Sequence, residues 1–224
     1  MSEFRRRMMA YVASRKDGVY NVPTPDCYYD FSLGSNTAAD RETVKDLSGN
    51  DKNAKIYNSA FNEDGSGYKD GALFTDGVDD YVALEAFDNG LSTIFMVCTP
   101  FLLDTLLYDQ RDSYETGSYF AVYNNYGSIA YNARNTGGLT YINGVESNII
   151  VDRNLIGKKQ CITICNGNVI NNDTSTPTIS RGLYSNTIAK MAIYKFLGFR
   201  NTLTKEQIQA VIKKYNLLDK VDEI

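Results

Sequence analysis

Three aspartates, Asp76, Asp79 and Asp80, stand around Gly77, and carboxylates gathered in one loop offer the hard oxygen donors that a calcium ion takes. The same side chains can instead accept hydrogen bonds from nearby backbone amides and shape a turn. Their spacing is not that of an EF-hand, so the loop reads as structural. No cofactor is expected, and these three residues are the calcium candidates should one bind. A second group is aromatic: Tyr119, Tyr123, Tyr126 and Tyr131 are interleaved with Asn124, Asn125 and Asn132. Rings beside amides suit stacking on a sugar and bonding to its hydroxyls, and equally suit contact with a protein. A third group, Phe4, Arg5, Arg6, Arg7 and Met8, joins two apolar anchors to three cations, the composition of a docking segment for an acidic protein surface.

What is missing narrows the chemistry. The chain has no histidine, so no imidazole base or histidine zinc ligand is available, and no Gly-x-Ser-x-Gly or phosphate-loop pattern occurs. Of the four cysteines, Cys161 and Cys165 lie four apart in an apparent strand, roughly 13 Å by strand rise, too far for a disulfide between them. Buried free thiols are the expectation for Cys27, Cys98, Cys161 and Cys165. Residues 1–16 carry five basic side chains against Glu3, a net +4, so the rest bears −8 of the overall −4. That balance argues against a nucleic-acid partner. No apolar run reaches the roughly 20 residues of a membrane span, and the run at 8–13 is too short for a signal peptide. Synthesis without Sec export and no membrane partner are therefore expected.

These groups must be carried by a strand-rich scaffold. Seventeen tyrosines, ten phenylalanines and short β-branched runs between Asn, Asp and Gly clusters predict an all-β, two-sheet antiparallel sandwich. Strands are expected near 28–33, 44–47, 54–57, 93–99, 102–110, 118–123, 128–133, 139–142, 149–151, 161–165, 178 and 188–196, those from 102 to 142 forming a meander. Residues 93–99 are apolar on both faces, the pattern of an interior strand covered twice. Asp76-Gly77 between two apolar runs predicts a hairpin pairing 72–74 with 81–84. Near the end, Thr204 and Gln207 form a capping box, Leu203 and Ile208 a staple, and Ile208, Val211, Ile212 and Tyr215 one apolar stripe, predicting a helix against the sandwich edge. Pro23 and Pro25 divide an amino-terminal arm, 1–25, from a sandwich domain, 26–224.

Several of these stretches match a known pattern. Tyr29-Asp30-Phe31, Asp46-Leu47-Ser48-Gly49-Asn50, the run from Leu73 to Val82, Thr140-Tyr141-Ile142-Asn143-Gly144-Val145, and Ala192-Ile193-Tyr194 with Leu203-Thr204 through Ile208 resemble concanavalin A-like lectin/glucanase domains of the laminin G type. The resemblance covers roughly residues 26–216, with Thr75 a departure from the usual hairpin. It implies a jelly-roll sandwich, a fold that hosts lectins, glycosidases and adhesion modules alike. Glucanases of this fold use a Glu-x-Asp-x-x-Glu strand, and no Glu-x-Asp occurs here, so a non-enzyme is expected. Glu3 to Met9 also resembles openings of virion proteins from phages of Bacteroides-type bacteria. Together these imply a virion structural protein, a capsid decoration or fibre, anchored to other virion proteins by residues 4–8 and forming a homo-oligomer. The alternative is a soluble carbohydrate-binding module contacting a surface glycan through Tyr119, Tyr123, Tyr126 and Tyr131 or through loop carboxylates with calcium.

Overall fold

The alternation of buried and exposed side chains along each short strand fixes which face meets the core, and it sorts the strands into two sheets. A computed structural model describes residues 22–62, 64–87, 90–102, 105–110, 121–125, 128–132, 139–146, 156–165, 176–181 and 188–218, with only the backbone at 105–106, 121–125 and 128–132. In chain order the strands are β1 (Cys27–Asp30), β2 (Thr43–Val44), β3 (Ala54–Tyr57), β4 (Gly67–Lys69), β5 (Ala72–Phe74), β6 (Tyr81–Ala83), β7 (Thr93–Pro100) and β8 (Thr105–Asp109). They continue as β9 (Ala121–Asn125), β10 (Ser128–Asn132), β11 (Leu139–Ile142), β12 (Val145–Glu146), β13 (Gln160–Cys165), β14 (Thr178–Ile179) and β15 (Met191–Phe199), followed by helix α1 (Lys205–Lys214).

One antiparallel sheet runs β12-β11-β13-β7-β15-β5-β4, with β1 also on β15; the other runs β10-β9-β8-β14-β6-β3-β2. The fold is a β-sandwich with one carboxy-terminal helix. A bulge between Ile193 and Lys195 lets one edge of β15 pair first with β5 and then with β1. Between the sheets, Tyr108 of β8 stacks on Phe196 of β15 at 5.5 Å, and Tyr29 lies 6.3 Å from the same ring. The buried Tyr29 hydroxyl donates to Lys52 O (2.5 Å) and that of Tyr108 to Gln110 Oε1 (2.7 Å), so neither phenol is left unpaired.

Strand β7 is buried along its whole length, as its two-faced apolar pattern predicts. Ile94, Met96 and Cys98 face the other sheet, while Phe95 and Val97 lie under α1 with Leu197 and Phe199. The helix forms as its caps predict: Thr204 Oγ1 accepts from Gln207 N (3.3 Å), and Gln207 Oε1 accepts from Thr204 N (2.9 Å). Ile208, Val211 and Ile212 are buried, each contributing roughly 1.5–3 kcal/mol of burial. They cover the outer face of the first sheet rather than the sandwich edge, because β7 and β13 present apolar side chains there. The four cysteines are buried free thiols, and burial pushes Cys161 up to about 12.

Three expectations need correction. The predicted hairpin of 72–74 with 81–84 does not exist: β5 pairs with β4 and β15 in one sheet, and β6 with β3 and β14 in the other. The Asp76-Gly77 turn is real, with Gly77 at φ +82, but it turns the chain from one sheet to the other. The meander also ends early, since β8, β9 and β10 are neighbours while β11 joins the opposite sheet. The first strand stops at Asp30, whose carboxylate accepts from Ser32 N (3.1 Å) and starts a 3-10 turn, Phe31–Leu33. The expected strand at 149–151 and the first 21 residues of the arm lie outside the described residues.

Candidate functional site

The 3-10 turn after β1 leads into a loop that folds over Tyr68 of β4. Gly34 touches the ring so closely that a Cβ there would stand 1.9 Å from Tyr68 Cε1, so this position has room only for glycine. Asn36 then grips the same tyrosine by its backbone: Nδ2 donates to Tyr68 O (3.0 Å) and Oδ1 accepts from Tyr68 N (2.7 Å). Because β4 ends its sheet, this side chain serves the backbone groups that a further strand would otherwise pair. The Tyr68 hydroxyl donates to Arg41 O (3.3 Å), and the Arg41 guanidinium lies 5.0 Å from the Phe61 ring centre. Burial, and then the Asp40 carboxylate, push the Tyr68 phenol up to about 12.

Two grooves flank this tyrosine. One, about 230 Å³, is lined by Asp30, Asp40, Arg41, Thr43 and Leu47 beside the ring. The other, about 330 Å³, is lined by Ser32, Ser35, Asn36, Thr37 and Asp70. A half-buried ring edged by hydroxyls, amides and carboxylates can stack on an apolar face of a ligand while bonding to its hydroxyl groups. Neither Tyr68 nor its neighbours carry a sequence signal for this role, because Gly34 and Tyr68 meet only through the fold.

The aspartate candidates do come together. Asp76, Asp79 and Asp80 each place a carboxylate oxygen within 4.8 Å of the others. Asp76 Oδ1 accepts from Val78 N (2.7 Å), and Asp80 Oδ2 accepts from Asp76 N (2.9 Å). Asp80 is 1% exposed, and its Oδ1 has no hydrogen-bond partner. Burial raises its pKa above the usual aspartate value; the Asp76 carboxylate adds to this, and the Asp76 amide and Ser66 hydroxyl oppose it. Thr75, the departure from the family pattern, anchors the crossover: its hydroxyl donates to Ala189 O (2.7 Å) and accepts from Met191 N (3.1 Å).

The tyrosine group is less fully described. Tyr123 pairs with Ala130 and Leu106, and Tyr131 with Val122, in the second sheet; Tyr119 and Tyr126 lie outside the described residues, as do Phe4, Arg5, Arg6, Arg7 and Met8. Another aromatic pair in that sheet escaped the sequence reading. Tyr57 and Tyr81 face each other across β3 and β6 with rings stacked at 4.8 Å, Lys55 over one and Arg181 over the other. Their alternation with the buried Ile56 and Val82 puts them on the outer face.

No family model matches this chain, and no curated protein matches it. Solved structures do. Trypanosoma rangeli sialidase in complex with sialic acid matches 87% of this chain and 34% of the sialidase at 12% identity, TM-score 0.56. Its covalent intermediate with 2,3-difluorosialic acid gives 0.57 at the same identity and coverage. Domain 4 of AbnA, a GH43 extracellular arabinanase from Geobacillus stearothermophilus in complex with arabinotriose, matches 84% of this chain and 98% of that domain at 15% identity, TM-score 0.49. The likeness is one of fold. The chain spans about a third of the sialidase.

The expectation of a virion structural protein is overturned here. The sandwich is shared with part of a carbohydrate-acting enzyme, not with a capsid or fibre component, in the structures just described. The virion part of that expectation came from Glu3 to Met9, a short segment outside the described residues.

Proposed function

We propose that this chain is a carbohydrate-binding module, a concanavalin A-like sandwich of the laminin G type, that takes a glycan in the grooves beside Tyr68 and does not cleave it. The observation that carries the reading is the ring of Tyr68 laid against Gly34 between two grooves rich in hydroxyl, amide and carboxylate groups. A saccharide presents the complementary surface, with an apolar ring face and a rim of hydroxyls. The sialidase of like fold acts on a sugar, which supports the same ligand class.

Several observations support binding without turnover. Most retaining and inverting glycosidases use two carboxyl groups facing one cleft, one of them held protonated by its surroundings. Sialidases use a tyrosine nucleophile instead, a role that the Tyr68 phenol, raised by burial and donating to Arg41 O, does not suit. In the first groove Asp30 is committed to structure, accepting from Ser32 N and Oγ (2.6 Å to the hydroxyl) and lying 3.8 Å from Lys195 Nζ. Asp80, the carboxyl that burial raises, lines neither groove. Glu85, which also lines neither groove, is half exposed and lies 3.9 Å from Lys52 Nζ.

A glycan array followed by titration of the best ligand tests the reading. Wild type is expected to bind with a Kd in the range of about 10 µM to 1 mM, and Tyr68→Ala to weaken binding at least tenfold, about 1.4 kcal/mol, while retaining the wild-type circular dichroism spectrum. Gly34→Ala, which drives a methyl into the ring, should weaken binding similarly. Flat arrays, or equal affinity in both variants, would contradict the reading. Release of 4-nitrophenol from aryl glycosides, abolished by one acid substitution, would contradict its non-catalytic part.

A further inference from the structure

The crossover between β5 and β6 presents an electrostatic deficit that the described residues do not supply. Three carboxylates converge there, and among the described residues none of them forms an ion pair with a lysine or arginine. Asp80 Oδ1 is buried and has no hydrogen-bond partner. A carboxylate taken out of water without a partner is expensive, so such an oxygen is ordinarily served by a cation or a proton. We propose that Asp76, Asp79 and Asp80 bind a divalent cation of the calcium class, with Asp80 as its buried ligand.

The geometry points to calcium rather than magnesium. Calcium takes six to eight oxygens in a flexible arrangement, while magnesium requires near-ideal octahedral order and gives up its waters reluctantly. An exposed carboxylate (Asp79), a partly buried one (Asp76) and a buried one (Asp80) form an irregular, half-open set that leaves remaining positions to backbone carbonyls and water. The ion would sit where the chain leaves one sheet for the other. Asp80 O accepts from Ser180 Oγ (3.0 Å), and the Thr75 hydroxyl holds the start of β15, so the loop is already tied to both sheets. Binding there would therefore stabilise the native state as a whole. This inference is independent of the glycan reading.

The chain has no tryptophan, and Tyr81 directly follows Asp80, so terbium luminescence excited through tyrosine reports the site. Terbium should bind wild type and be displaced by calcium with a Kd below about 1 mM, and calcium should raise the melting temperature over chelator by roughly 3 °C or more. Magnesium should compete at least tenfold more weakly. Asp79→Asn alters an exposed carboxylate with no hydrogen bond to lose and should fold normally yet weaken terbium binding at least tenfold; Asp51→Asn, in another loop, should leave it unchanged. Absence of both the luminescence and the melting shift in wild type would overturn the proposal, as would wild-type terbium affinity in both Asp79→Asn and Asp80→Asn.

Discussion

Two aspartate loops in this sandwich look alike as sequence and differ in how their oxygens are served. In the loop after β2, Asp46 Oδ1 accepts from Tyr28 N (2.9 Å) and Ser48 N (2.9 Å), and Oδ2 from Ser48 Oγ (2.7 Å) and Lys52 N (3.1 Å). Asn50 Nδ2 extends the stitch to Asp26 O (3.1 Å). Four donors saturate one carboxylate, and the loop is thereby sewn to β1. In the crossover after β5, three carboxylates share two backbone amides, and Asp80 Oδ1 has none. An aspartate with a full complement of donors is structure, whereas an under-supplied cluster is poised for something from outside.

The contrast can be broken experimentally. Asp46→Ala removes four hydrogen bonds to a charged group and should cost roughly 3–5 kcal/mol in urea unfolding, non-additivity included. A loss under about 1 kcal/mol would show that the loop does not depend on its carboxylate. Ser48→Ala removes the hydroxyl that donates to Asp46 and should cost about 1 kcal/mol by the same measurement. Asp80→Asn in chelator replaces a buried charge with an amide and should be neutral or stabilising by up to about 1 kcal/mol. A large destabilisation there would make Asp80 a second Asp46. Asp79→Asn alters an exposed carboxylate that accepts no hydrogen bond and should stay within about 0.5 kcal/mol.

The same pair of loops shows what can be read from sequence. Local chemistry was legible: the Thr204-Gln207 capping box, the Asn143-Gly144 turn joining β11 to β12 with both residues at positive φ, and the two-faced burial of β7 all depend on neighbours in the chain. Asp76-Gly77 was legible as a turn and misleading as a hairpin, because strand partners are chosen at long range. Ala72 to Phe74 pair with β4 and β15, and Tyr81 to Ala83 with β3 and β14, rather than with each other. The groove site was not legible at all. Gly34, Asn36 and Tyr68 meet through an edge strand and a loop more than thirty residues away, and no spacing rule connects them. The tyrosine-rich stretch drew attention by composition, whereas Tyr68 stands alone in sequence and gains its setting from tertiary contact.

The most direct test of the central claim is carbon-13 NMR of the chain with labelled tyrosine rings, titrated with the sugar that binds best on the array. Shifts confined to the Tyr68 ring, assigned by comparison with Tyr68→Phe, are the predicted result. A Tyr68 ring that stays fixed while Tyr57, Tyr81 or Tyr123 moves would place the glycan elsewhere and contradict the account.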